Sequence, residues 1–365
     1  MVSTMRKYLI LLVLLLLPII SSCGLFKVKL SNFDAYYFDT YINIRVWDIK
    51  KYKNNAKLWK ETDKILRRIQ ITFQRNKDDD FEPELYRLNQ SAGSGKPFKV
   101  SDELFEVIKL SLEFAELTDG KFDPTIGPLV DLWDITGKPY DDEQGALVGT
   151  PPTQAEIDKV LPLIDYRLVE LDEENKTVFL PLKGMVIDLG AIAKGYAADV
   201  LAKFYREKGI KHAIIDLGGN IYALGERYEQ RSDGSIEWSI GIRKPEPNSS
   251  VSVATLYVID KTVVTSGPYE RYFIDSIDEN KRYHHILDPD TGYPFENDIA
   301  SVTVVCDSSA LADALSTSLF ALGIQDGIKF VEENFPDVAV VFIDYGLNFY
   351  TTNNADELYK FTPSI

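Results

Sequence analysis

Asp313 and Thr317 stand four residues apart in the run Ser308-Ser-Ala-Leu-Ala-Asp313-Ala-Leu-Ser-Thr317-Ser-Leu-Phe320. If the run is helical, the two side chains share a face. A carboxylate beside a hydroxyl is an oxygen pair suited to a hard cation such as Mg2+, which also takes water and phosphate oxygens. Taken alone the pair reads as a cap or as helix surface, so its weight depends on neighbouring motifs. A second group, Ile187-Asp188-Leu-Gly-Ala191-Ile-Ala-Lys194-Gly195-Tyr196-Ala-Ala-Asp199, reads as a strand turning tightly into a helix. Gly190 and Gly195 remove bulk, the helix start favours an anion, and Lys194 adds a compact positive charge, a combination that suits phosphate.

A third group joins Thr265-Ser-Gly267-Pro-Tyr269-Glu-Arg271-Tyr-Phe273 to Tyr283-His-His285-Ile-Leu-Asp288-Pro-Asp-Thr291-Gly292-Tyr-Pro294, and holds two of the three histidines. Imidazole can exchange a proton or steady developing charge near neutral pH. His284 and His285 can equally pack beside the turn, and spacing does not decide between the two. His212, alone on an apolar strand, reads as structural. Asp216-Leu-Gly-Gly-Asn220 is explained by a hairpin turn.

The elements that must position these groups follow from periodicity. Tyr36 to Trp47 alternates like a strand. Leu58, Ile65 and Ile69 share a helical face, as do Leu104, Ile108, Leu112 and Ala115, in a helix capped by Ser101 and stopped by Gly120. Lys77 to Asp80, Ser91 to Pro97 and Gly137 to Pro152 read as loops, and Thr153 with Glu156 as a capping box. Val178 to Leu182 and Met185 to Leu189 suggest a hairpin, followed by a helix from Ala193 to Lys208. Strands are expected at His212–Asp216, Ile221–Leu224, Trp238–Ile242, Val253–Ile259 and Val338–Ile343, and near Phe349. Two helices, Ser309–Leu322 and Ile324–Asn334, come late. Without regular βαβ alternation, the fold class is α+β with a largely antiparallel sheet, flanking helices and two lobes around a cleft.

The whole chain narrows the functions. Arg6 and Lys7, an apolar run from Tyr8 to Ile20 and the small pair Ser21-Ser22 before Cys23 form a secretory signal peptide over residues 1–22. Ile20-Ser21-Ser22-Cys23 resembles the lipobox of bacterial lipoproteins, which implies lipidation of Cys23, palmitate included. The expected organisation is then a tether over residues 23–34 and a folded domain over 35–365, exported and anchored to a membrane, facing the periplasm or cell exterior. Loss of residues 1–22 removes two positive charges, moving the net charge from -16 to -18. Such a surface repels phosphate backbones, and nucleic-acid binding is excluded. A pyrophosphate would need a local cation or a basic clamp. With Cys23 lipidated, only Cys306 remains, so no internal disulfide forms, and its apolar surroundings make it a strand residue rather than a nucleophile.

Four segments in order resemble the ApbE family of FAD:protein FMN transferases: Lys121-Phe-Asp123-Pro-Thr125-Ile-Gly127-Pro-Leu-Val-Asp-Leu-Trp133, Asp188 to Asp199, Thr265 to Phe273 with His285 to Pro294, and Ala312-Asp313 to Thr317. The similarity runs over roughly residues 34–350. It implies a T-fold-like core and a Mg2+ ion held by the Ala191 main-chain oxygen and the Asp313 and Thr317 side chains. It implies FAD contacts from Asp188, Lys194 and the Phe122-Asp123 turn, with Ile286 beside the cofactor and His285 as the family's histidine. The implied reaction moves FMN from FAD to a threonine of an acceptor flavoprotein and releases AMP, with Asp313 or a metal-linked water taking the hydroxyl proton. One departure stands out: where the family usually has a tyrosine, this chain reads Thr72-Phe-Gln74-Arg75, and Gln74 cannot stack on a ring. Two alternatives follow, a Mg2+-dependent FAD pyrophosphatase and a lipid-anchored flavin carrier without chemistry.

Overall fold

The computed structural model describes residues 30–47, 55–355 and 360–363. The signal peptide and Cys23 lie outside the described residues. In chain order come β1 (Ser31–Tyr37), β2 (Thr40–Val46), α1 (Asn55–Phe73), α2 (Glu84–Gln90), β3 (Phe98–Lys99), α3 (Asp102–Leu117), α4 (Gly127–Trp133), β4 (Tyr140–Asp141), β5 (Ala146–Gly149) and α5 (Gln154–Val160). The second half runs β6 (Glu170–Asp172), β7 (Thr177–Phe179), α6 (Ala193–Glu207), β8 (Ala213–Leu217), β9 (Asn220–Leu224), β10 (Trp238–Arg243), β11 (Ser252–Val258), β12 (Lys261–Ser266), β13 (Tyr272–Asp275), β14 (Arg282–His284) and β15 (Ile299–Cys306). It ends with α7 (Ser309–Leu322), α8 (Ile324–Asn334), β16 (Ala339–Asp344), β17 (Phe349–Thr351) and β18 (Lys360–Pro363).

An eight-stranded sheet of order β1-β2-β8-β9-β12-β15-β16-β17 organises the molecule, every neighbouring pair antiparallel. The α+β reading is therefore correct. Helices α6 and α7 lie side by side on one face, with α7 against β12 and β15. The other face is covered by the β10-β11-β18 sheet, where Ile240, Ile242, Leu256 and Val258 meet Val263, Val305 and Val341. Burial from both sides explains why every residue of β15 is buried, the hydroxyl residues Ser301 and Thr303 included, and why exposed polar residues do not alternate along it. A smaller cluster gathers around Trp133, with Leu129, Ile157, Phe273 and Tyr283, and its indole N–H donates to the Gly292 carbonyl at 2.8 Å.

The structure differs from the sequence reading in four places. The single strand expected over Tyr36–Trp47 is a hairpin, because Phe38 and Asp39 both take left-handed φ values of 53° and 56° and turn the chain back. Its first strand begins at Ser31, so the tether expected over 23–34 gives way to paired backbone by that residue. The loop expected over Gly137–Pro152 contains the β4-β5 hairpin, and β5 pairs in parallel with β13. Met185–Leu189 is not the hairpin partner of Val178–Leu182; β7 pairs with β3 and β6 instead. The Asn89 side chain occupies the backbone of the 185–189 segment, donating to Ile187 O at 3.0 Å and accepting from Ile187 N at 2.9 Å. A side-chain amide that imitates a strand leaves no periodic signal.

Candidate functional site

Helices α6 and α7 approach so closely that no side chain fits between them at Gly195: a Cβ there would lie 2.1 Å from the Ser309 carbonyl oxygen. Their alignment is fixed by Asp199, one α6 turn further on. Its carboxylate accepts from Ser308 Oγ (2.9 Å), Ser309 N (2.8 Å) and Ala310 N (3.0 Å), capping the start of α7. Asp313, four percent exposed on α7, thereby faces the first turn of α6, and its Oδ2 accepts the Gly195 N–H at 2.9 Å.

That bond has a consequence for Ala191. The Gly195 N–H is the donor that would close helically on the Ala191 carbonyl, but it is given to Asp313, and the Ala191 oxygen makes no main-chain hydrogen bond among the described residues. Lys194 Nζ stands 3.8 Å from Asp313 Oδ1 and 3.4 Å from the Gly190 carbonyl. Burial pushes the Asp313 carboxyl above its ordinary value, opposed by Lys194 and the Gly195 N–H. The Asn220 side-chain amide also holds the Asp313 carboxyl down. Thr317 follows one turn later on α7, half-buried. A main-chain oxygen without its helical donor, a desolvated carboxylate and, one turn on, a hydroxyl are oxygen donors of the type a hard cation takes.

Asp188 precedes this turn. Its main-chain N–H donates to Pro124 O at 2.8 Å, its Oδ1 accepts from Gly190 N at 2.7 Å, and its Oδ2 is 2.7 Å from Arg75 Nε. Arg75 also pairs with Asp131. The sequence reading missed Arg75 as a site residue; its only signal was its position directly after Gln74, since nothing in linear spacing ties α1 to Asp188. Gln74 itself is half-buried at the end of α1, and its neighbour Phe73 is turned inward, edge-on to Tyr196 at 5.3 Å.

The remaining expected residues divide by environment. Asp123 spends its carboxylate on its own loop, taking Thr125 N and Thr125 Oγ1 on Oδ1 and Tyr166 N on Oδ2. Phe122 and Ile286 are each five percent exposed in the main core. The two histidines are also separated. His284 uses both ring nitrogens on main chain: Nε2 with Phe295 O at 3.0 Å and Nδ1 with Ile286 N at 3.3 Å. It is the packing histidine. His285 Nδ1 meets the Arg271 carbonyl at 3.1 Å, so Nδ1 carries the proton and Nε2 presents a lone pair. Burial lowers the His284 imidazole to about 4 and the His285 imidazole to about 3, and both are neutral at physiological pH. His212, as expected, is structural, with Nδ1 2.6 Å from Glu226 O. Burial pushes the Cys306 thiol up to about 12, which removes it as a nucleophile.

Fold and site together define an α+β protein with a buried carboxylate and a lysine, Asp313 and Lys194, facing each other at the start of α6. The chain belongs to the ApbE family, whose model matches residues 38–342. It is 35% identical over 295 residues to a FAD:protein FMN transferase of Klebsiella pneumoniae (strain 342), covering 81% of this chain and 84% of that one. It is 34% identical over 333 residues to the FAD:protein FMN transferase of Treponema pallidum (strain Nichols), covering 89% and 87%. Among solved structures, the ApbE protein of Thermotoga maritima superposes with a TM-score of 0.76 at 29% identity, over 91% of this chain and all of that one. Flavin transferase ApbE of Vibrio cholerae gives 0.73 at 28% identity, over 89% and 97%.

Proposed function

We propose that this chain transfers the FMN half of FAD to a threonine hydroxyl of an acceptor flavoprotein and releases AMP, with Mg2+ at the junction of α6 and α7. The observation that carries the reading is the Gly195 N–H given to Asp313, which frees the Ala191 carbonyl beside a buried carboxylate, in a chain whose relatives are named for this reaction. Held by Ala191 O, Asp313 and Thr317, magnesium would neutralise the pyrophosphate and make its phosphorus more electrophilic. Lys194 and the main-chain N–H groups at the start of α6 bind phosphate oxygens. Asp188, clamped by Arg75 and the Gly190 N–H, keeps one orientation toward the flavin side of the substrate, next to the Phe122-Asp123 turn and Ile286.

His285 is a weak base here: its neutral imidazole, with Nδ1 held by the Arg271 carbonyl, leaves the Nε2 lone pair as a hydrogen-bond acceptor for a substrate or acceptor N–H without taking the threonine proton. As the threonine oxygen bonds to the flavin-side phosphorus, the phosphorus–oxygen bond to AMP breaks and AMP leaves with the bridging oxygen. The hydroxyl proton passes to Asp313 or to a metal-linked water. Catalysis is then mostly positioning and electrostatics.

The test is to incubate the chain with FAD and Mg2+, with and without a threonine-bearing acceptor domain, following AMP, free FMN and protein-bound flavin, with EDTA and Asp313→Ala as controls. Acceptor-dependent covalent FMN that disappears in both controls is the expected result. Free FMN and AMP without acceptor would support hydrolysis instead, a reading favoured by one observation: the end of α1 offers the Gln74 amide where a ring would stack. FAD that binds without any product and without need of metal would identify a carrier. Export and lipid anchoring through Cys23 are part of the proposal; Cys23→Ser should release the protein from membranes and abolish palmitate labelling. No described helix is long and apolar enough to cross a membrane.

A further inference from the structure

The turn between β8 and β9 needs its glycines, since Gly218 and Gly219 hold φ values of 68° and 91°. It does not need a buried amide after them, yet Asn220, the first residue of β9, is one percent exposed. An amide taken from water without partners is costly, so the position calls for its own explanation. The oxygen is accounted for: Ser309 Oγ donates to Asn220 Oδ1 at 2.6 Å and accepts from Thr262 Oγ1 of β12 at 2.9 Å. The nitrogen is sealed from solvent and makes no hydrogen bond of ordinary geometry with a described group.

Helix periodicity locates that nitrogen. Ser309 and Asp313 stand four apart on α7 and share the face that lies against β9 and β12. An amide fastened to Ser309 therefore lies beside the Asp313 carboxyl, which it holds down. With Oδ1 taken by the Ser309 hydroxyl, the Nδ2 end remains for Asp313; the reverse rotation would set a carbonyl oxygen against a carboxylate. Asp313 Oδ2 is already fixed by the Gly195 N–H at 2.9 Å, and Oδ1 lies 3.8 Å from Lys194 Nζ. A lysine orients a carboxylate and also offsets its charge, whereas a neutral amide orients it and leaves the charge for a cation.

We infer that Asn220 is a positioning residue: locked by the Thr262 and Ser309 hydroxyls, its amide fixes the direction in which Asp313 offers its carboxylate to a divalent cation. The inference rests on the cation reading above and gives the Gly-Gly-Asn turn a task within it. Asn220 acts through Asp313 alone, and Ser309 acts through Asn220, so the three side chains form one line of support from β12 to the site.

The test measures binding of Mn2+, a hard cation that takes the same oxygen ligands and is counted by electron paramagnetic resonance, to the FAD-loaded full chain and to FAD alone. Urea unfolding in EDTA reports the fold separately. Asn220→Ala should weaken Mn2+ binding about 10–100-fold, the usual effect of removing an outer partner of a metal ligand. Ser309→Ala leaves the amide in place but free to turn and should weaken binding by a smaller factor. The combined variant should bind no more weakly than Asn220→Ala, since both act along one line. Unchanged Mn2+ affinity in Asn220→Ala, whatever its unfolding midpoint, would make the amide purely structural and overturn the inference, as would two factors that multiply in the combined variant. Should Asn220→Ala fail to fold, Ser309→Ala decides, and parental affinity there overturns the inference. A parent chain that adds no Mn2+ binding to that of FAD would overturn the cation reading and this inference with it, a failure seen before any substitution is made.

Discussion

Gly195→Ala tests whether the contact between α6 and α7 sets the site. In an ordinary helix interior, alanine is the better residue by about 0.5–1 kcal/mol. At Gly195 the sign should reverse. The added Cβ would lie 2.1 Å from Ser309 O and 2.8 Å from Ala310 Cα, both main chain of α7 and unable to rotate away. Comfortable contact is roughly 3.5 Å, so α7 must retreat by on the order of 1 Å. Overpacking of this kind costs about 1–3 kcal/mol, and the retreat also stretches the 2.9 Å bond from Gly195 N–H to Asp313, a charged hydrogen bond worth about 1.5–3 kcal/mol. After the helix-propensity gain, Gly195→Ala should lose about 2–4 kcal/mol in a denaturant titration. The same displacement should lower FMN transfer on the order of 100-fold, since misplacement by 1 Å has that effect on an oriented reaction. A variant as stable as the parent and fully active would refute the claim that this contact positions Asp313.

Other perturbations act on the same frame. Asp199→Ala removes three hydrogen bonds from the start of α7 and should cost about 2–4 kcal/mol, with Asp199→Asn keeping a part; loss of less than about 0.5 kcal/mol in urea unfolding would show that Ser308 caps α7 unaided. Arg75→Met leaves Asp188 partly buried without its counter-charge, and a loss of about 3 kcal/mol together with weaker FAD binding is expected; unchanged FAD affinity by flavin fluorescence would remove Arg75 from the site. The histidines predict an acid limb. Both have folded values below the ordinary 6.5, so the unfolded chain binds more protons as pH falls beneath 6.5, and stability present above that pH is lost toward about 4 and 3. The slope is up to about 1.4 kcal/mol per pH unit for each histidine. The raised carboxyls of Asp313, Asp123, Asp199 and Asp216 act oppositely, being protonated first in the folded state as pH falls toward 3.8. His284→Gln should flatten the limb just below pH 6.5, and an identical slope would contradict the burial argument.

What was legible in the sequence was what repeats locally. The period of α6 and α7, the cap at Ser101, the Thr153-Glu156 box and the apolar run of β15 each follow from neighbours within a few residues, and each lies where expected. The errors fall where a distant group replaces a local rule. Met185–Leu189 is apolar enough to be a strand, but its backbone is partnered by the Asn89 amide of α2 at Ile187 and by the Pro124–Gly127 turn at Val186 and Asp188, and no pattern within the segment announces either. The β4-β5 hairpin was hidden because its strands are two and four residues long and are stabilised by β13, which joins only in the folded chain.

The site was legible by residue type and illegible by role. Asp313 and Lys194 lie near each other at the start of α6, yet the reason the Ala191 oxygen lacks its helical donor lies in the Gly195 N–H turning to another helix, a fact of packing rather than spacing. Spacing left the two adjacent histidines equivalent and only the resemblance pointed to His285; the main chain around them separates a packing residue with both nitrogens occupied from one with a lone pair to offer. Arg75 shows the general reason. An ion pair between α1 and the turn before α6 requires both elements to be placed first, so it can be inferred only after the fold.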